Sequence, residues 1–142
     1  MSELPESLRR AVHARAGGAC EYCLLPESTG FYAHEVDHVV ARKHDGKTEL
    51  GNLALACMSC NRRKGSDLAS IDPLTDEMSE LFNPRIHRWL EHFKLAGALI
   101  QPRTVIGRTT ARLLHFNEPH RMDERLPFVL ANKLKPAKIP LP

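Results

Sequence analysis

Cys20-Glu21-Tyr22-Cys23 and Cys57-Met58-Ser59-Cys60-Asn61-Arg62-Arg63-Lys64 are the two stretches on which the fold turns. They hold all four cysteines of the chain, as two pairs with two residues between the members of each. A small secreted domain could close such cysteines as disulfides. Matched Cys-x-x-Cys pairs in a chain that opens without a continuous apolar stretch instead favour a tetrahedral thiolate zinc site. The rival reading is a redox dithiol, but redox motifs rarely come as two matched pairs. A plain zinc ribbon leaves about 15–20 residues between its pairs. Here 33 residues lie between Cys23 and Cys57. The insertion is long enough for a hairpin whose two ends the metal would clamp, fixing polar side chains without a large core.

Working outward, Glu35-Val36-Asp37-His38-Val39-Val40 reads as a strand with β-branched residues around an Asp-His pair. Ala41–Glu49, with Asp45-Gly46 inside it, reads as an exposed turn or Ω-like loop. Gly51–Ala56 is a short apolar second strand, and residues 59–64 suit a short helix opened near Ser59 and stopped by Gly65. Upstream, Leu4, Leu8, Ala11, Val12 and Arg15 fall near helical spacing over residues 4–16, with Ser2 or Pro5 as the opener and Gly17-Gly18 as the stop. Residues 24–34 carry the turn formers Pro26, Ser28, Thr29 and Gly30. Beyond Gly65, residues 86–93 are a short strand or a helix, 97–101 a strand, and Thr104–Phe116 an amphipathic helix. Pro119 opens a last helix reaching at least Leu126, and Pro136, Pro140 and Pro142 make a loose tail. The expected division is a helix over 1–19, a core over 20–66, an extension over 67–135 and a tail over 136–142.

Apolar residues make up 42% of the chain, enough for a core, while aromatics reach only 6%. No run of about 18 apolar residues exists to span a membrane. Together with the N-terminal sequence, this leads to the expectation of a soluble, cytoplasmic protein. The net charge of +3 is unevenly spread. Residues 41–64 carry six Lys or Arg against two acids, and residues 101–142 eight against three, around an acidic stretch. A basic block lying on a metal-ligand motif is a plausible phosphate-facing surface.

Taken together, Cys20-x-x-Cys23, Glu35-Val36-Asp37-His38, Gly51-Asn52-Leu53 and Cys57-x-x-Cys60-Asn61-x-x-Lys64 resemble the HNH endonuclease family in its cysteine-stapled form. The resemblance covers about a third of the chain. Leu81–Arg85, Trp89-x-x-His92-Phe93 and Gly107-Arg108 resemble an extension found on some stand-alone members. The resemblance implies an α+β fold: a ββα-metal core with a four-cysteine zinc knuckle, an N-terminal helix and an α/β C-terminal extension. It implies that His38 is a general base, that Asp37 and Asn61 hold a catalytic divalent ion, and that Asn52 braces the loop and orients the histidine. The final position of the motif is Asn61 rather than histidine, which keeps a metal-binding atom.

The chemistry is coherent in its own right. A neutral imidazole can take a proton from water near pH 7. Asp and Asn oxygens suit Mg²⁺ or Mn²⁺. On a regular strand Asp37 and His38 project to opposite faces, so local irregularity or a strand that bends at its end is expected there. Arg62, Arg63 and Lys64, with Arg42, Lys43 and His44, are the expected DNA contacts, dominated by phosphate and therefore sensitive to salt. The remaining histidines read as surface or packing residues. The function expected is metal-dependent hydrolysis of DNA, with structural Zn²⁺ and catalytic Mg²⁺ or Mn²⁺. The alternative is a non-catalytic zinc module that binds nucleic acid or protein. A nuclease for structured RNA is a third reading, although only Tyr22, Phe31 and Tyr32 offer aromatic surface near the core.

Overall fold

The structure, a computed structural model, describes residues 4–27 and 33–136. Ser2, the turn formers 28–30, Phe31, Tyr32 and the end of the expected tail lie outside the described residues. The fold is mixed α+β, with the four cysteines gathered into one cluster. Helix α1 (Glu6–Ala16) starts after Pro5 and stops where Gly17 takes a left-handed φ of 63°. Leu4, Leu8, Val12 and Ala16 recur every four residues and pack on Leu53, Leu55 and Val36.

Strands β1 (Glu35–His38) and β2 (Leu53–Ala56) pair antiparallel, with Glu35 opposite Ala56 and His38 opposite Leu53. β2 is shorter than the expected Gly51–Ala56, because Leu50–Asn52 coils into a 3₁₀ turn first. Its four residues are all buried, since α1 covers one face and the cysteine cluster the other. Helix α2 (Met58–Lys64) opens one residue before the expected Ser59. Cys57 is its N-cap, and the Cys57 Sγ accepts from the Cys60 N–H. It stops at Gly65, whose φ is 52°.

Downstream, β3 (Ala69–Ile71) pairs with β4 (Met78–Glu80), a hairpin absent from the sequence reading. The ambiguous segment 86–93 is both things in succession. It makes one helical turn, α3 (Trp89–His92), and then enters strand β5 (Phe93–Ala96). β5 pairs with β6 (Leu99–Pro102) across a two-residue turn. Gly97, with a φ of 61°, supplies the positive φ such turns need at their first position, so the strand begins at Leu99 rather than residue 97. Helix α4 (Val105–Leu113) is capped by the Thr104 hydroxyl, and α5 (Pro119–Leu130) carries proline at its start.

One hydrophobic core runs from the knuckles into the extension. Cys20, Tyr22, Cys57 and Cys60 share it with Trp89, Phe93, Ile100, Leu114 and Phe116. Polar ties follow the same seam. The Trp89 indole donates to the Tyr22 carbonyl at 2.9 Å, and buried Arg85 donates to the Leu53 carbonyl at 2.9 Å and pairs with Glu21. Among the described residues no helix is long and apolar enough to cross a membrane.

Candidate active site and metal centre

The two Cys-x-x-Cys turns meet because β1–β2 closes the 33-residue insertion and α2 begins directly at Cys57. All four sulfurs are buried, and their ligand atoms lie within 4.8 Å of one another. The Cys23 and Cys57 Sγ atoms are 3.7 Å apart, far beyond a disulfide bond. A tetrahedral ion with Zn–S bonds of about 2.3 Å sets its sulfurs about 3.8 Å apart. The Cys23 and Cys60 amides donate to the Cys20 and Cys57 sulfurs at 3.4 Å. Burial pushes the Cys20 and Cys60 thiols up, while hydrogen bonds from the other three cysteines hold Cys23 down. Four thiols packed this closely cannot all ionise without a cation, so the donor set fits zinc.

At the other end of the hairpin, β1 stays regular through His38 and the chain bends at Val39–Val40. Asp37 therefore faces inward and His38 outward, as strand alternation requires. Asn52 closes the connecting loop. Its amide donates to the Val40 and Lys47 carbonyls at 2.9 Å, and its side-chain oxygen accepts from the Val40 N–H at 2.9 Å. The His38 Nε2 lies 2.9 Å from the Thr48 hydroxyl of the same loop. Burial, reinforced by Arg42, lowers the His38 pKa below its ordinary value, although Asp37 opposes the shift. The ring is thus biased toward its neutral, proton-accepting form.

The Asp37 carboxylate is 3.1 Å from the Lys64 ammonium and accepts from the Tyr22 hydroxyl at 3.2 Å. Burial still raises the Asp37 pKa, because these partners offset only part of the desolvation. Asn61, one turn before Lys64, donates its side-chain amide to Glu35, which shares the inward-numbered register of β1 with Asp37. Of the expected phosphate contacts, Lys64 is placed otherwise. It is 3% exposed and also donates to the His38 carbonyl at 3.3 Å, because it follows Cys60 by four residues on the inner face of α2. Arg62 is exposed, and Arg63 is half-buried and 3.5 Å from Glu118. Arg42, Lys43 and His44 form an exposed 3₁₀ turn, with Arg42 donating to Thr48 at 3.3 Å. The sequence reading gave no role to Thr48, quoted Glu35 only as part of the motif stretch, and took Tyr22 only as aromatic surface near the core. Each lies near a motif residue in sequence, but only the folded hairpin reveals its partner.

Residues 20–67, which span the knuckle, hairpin and α2, match the family model for the HNH endonuclease, and this segment is similar to that nuclease-type domain. The match takes in about a third of the chain and leaves α1 and most of the extension outside it. No curated protein and no solved structure matches the chain.

Proposed function

We propose that this protein is a metal-dependent endonuclease that hydrolyses DNA phosphodiester bonds. The observation that carries the reading is His38. It is a half-exposed imidazole with a lowered pKa, at the end of a strand, in a loop braced by Asn52 and next to the buried carboxylate of Asp37. The Thr48 hydroxyl, 2.9 Å from Nε2, orients the ring that takes the proton of the attacking water. Asp37 and Asn61 are the proposed oxygen ligands. Glu35 engages the Asn61 amide N–H, which leaves the amide oxygen for a cation. A Mg²⁺ or Mn²⁺ ion held by these oxygens would supply Lewis acidity for phosphodiester hydrolysis. Arg42, Lys43, His44, Arg62 and Arg63 are the proposed backbone contacts, giving salt-sensitive and weakly specific binding.

A second reading is a non-catalytic nucleic-acid-binding module. The observation that favours it is the Asp37–Lys64 pair, in which an ammonium already neutralises the proposed ligand. Nicking of plasmid, oligonucleotide and RNA under single-turnover conditions, with and without Mn²⁺, separates the two. His38→Ala is expected to keep the fold, the zinc and DNA binding while cutting about 10²–10⁴ times more slowly. A folded, zinc-loaded His38→Ala protein that cuts at the wild-type rate removes the mechanism. A wild-type protein that binds DNA and cuts nothing supports the second reading, and cleavage confined to RNA reassigns the substrate.

A further inference from the structure

Helix α5 directs two arginines into the interior, Arg121 and Arg125, 2% and 1% exposed. Arg125 donates only to oxygens, through Nε and one Nη: the Ala98 carbonyl at 2.8 and 3.0 Å and the Asn117 side-chain oxygen at 3.2 Å; its other Nη is buried without a hydrogen-bond partner among the described residues. Arg121 is satisfied differently. One Nη donates to the Leu114 and His115 carbonyls just past the end of α4. The other lies 3.1 Å from the Cys60 Sγ and 3.5 Å from the Cys57 Sγ.

A guanidinium stays protonated even when buried, so its charge must be answered where it sits. The ion pairs of the described residues include no carboxylate on Arg121. Carbonyl dipoles answer part of the charge. The rest falls to sulfur, and a neutral thiol is a poor acceptor. Four thiolates around a divalent zinc carry two excess negative charges in a buried site.

We propose that Arg121 is the outer partner of the zinc centre, its guanidinium offsetting half of the excess charge of the tetrathiolate and fastening the C-terminal extension to the metal. The inference rests on the zinc reading of the cysteines and not on the nuclease reading. Arg121 is a positioning residue: it touches ligands rather than substrate. Because coupling between two binding events is reciprocal, the metal tightens the docking of α5 by as much as α5 tightens the metal.

The test uses the full chain loaded with Zn²⁺ or Co²⁺, with Arg121→Met, Arg121→Gln and Arg121→Lys. Competition against a chromophoric chelator is expected to show about 10–100-fold weaker zinc binding in Arg121→Met, the usual cost of losing an outer-shell partner. The sulfur-to-cobalt charge-transfer band is expected to move to lower energy in Arg121→Met and Arg121→Gln, and to recover in part in Arg121→Lys. Hydrogen exchange across Pro119–Leu130 is expected to rise when zinc is stripped from the wild type. A folded Arg121→Met or Arg121→Gln protein with wild-type affinity and an unshifted band overturns the proposal. So does a wild type whose α5 exchange ignores zinc, a result that needs no variant to fold. A wild type that gives no thiolate–cobalt band overturns the zinc reading itself, and this inference with it.

Discussion

Helix α2 sits between two buried charged clusters that balance their charge in opposite ways. At its N-terminus Cys57 and Cys60 join Cys20 and Cys23, where Arg121 reaches the sulfurs of four potential thiolates and Arg125 lies near enough to feel their charge. At its C-terminus Lys64 faces Asp37 one to one, with the Tyr22 hydroxyl beside them. The first cluster is incomplete as a set of charges and calls for a divalent ion. The second is already neutral. A close group of ligand-type residues therefore does not by itself indicate a metal; the test is whether the surrounding protein has already supplied the counter-charge. By that test the donor set at one end of α2 fits zinc. At the other, a cation must compete with Lys64 for Asp37.

The comparison breaks most severely at the cysteines. Cys57→Ser removes a zinc ligand and the N-cap of α2 together. It is expected to abolish cooperative unfolding, because zinc binding is folding free energy in a domain of this kind. Circular dichroism melts with metal analysis check it. A cooperative melt near the wild-type midpoint would mean that the hydrophobic core holds the knuckles without metal.

Lys64→Met probes the balanced end. Removing one partner of a buried pair costs about 3–5 kcal/mol, and urea unfolding of the zinc-loaded protein reads the loss. Millimolar Mn²⁺ is expected to restore part of it by taking the place of the ammonium at Asp37. If Mn²⁺ restores nothing, Asp37 is a structural anion and the non-catalytic reading gains.

The smallest effect is expected at the part-buried Asp72–Arg108 pair, which belongs to neither cluster. Asp72 accepts from the Arg108 guanidinium at 2.9 and 3.0 Å, and these bonds hold its carboxyl well below the usual range. A depressed carboxyl stabilises the fold above its unfolded value of about 4 and loses that contribution as pH falls through its folded value. Asp72→Asn is therefore expected to melt below the wild type at neutral pH, with the gap narrowing as the pH drops from about 5 towards 3. Zinc loss in acid affects both proteins alike, so the difference between them reports the pair. A gap that stays constant with pH would show that Asp72 acts through its turn, where it accepts from the Leu74 N–H and the Thr75 hydroxyl, and not through its charge.

What the sequence made legible follows the same division. The cysteine spacing, the glycine stops at Gly17 and Gly65, and the alternation of Glu35–His38 are local patterns, and the knuckles, α1, the hairpin and α2 are where they indicate. The alternation even accounts for Asp37 and His38 facing apart, with the bend falling just after them. The β3–β4 hairpin was not legible. Its strands are three residues long, with Ile71 and Met78 exposed, and it is held by Asp72 and Arg108, which lie 36 residues apart. Lys64 was misplaced for a related reason. In a run of three basic residues, nothing local distinguishes the one that follows Cys60 by a full helical turn and is drawn inward with it.

The side chain of Asn52 clasps Val40 across the loop, and its own carbonyl accepts from the Val39 N–H, immediately before Leu53 enters the sheet. The clasp and the strand pairing are thus one mechanical adjustment. A slip of β2 by a single residue would turn Leu53 and Leu55 away from α1 and, in the same movement, carry Asn52 off the loop that holds His38. A mispaired chain of this sort would expose its leucines and release the histidine loop together. Quality control that recognises exposed apolar surface would remove such chains before any could persist as a folded protein with a misaligned histidine.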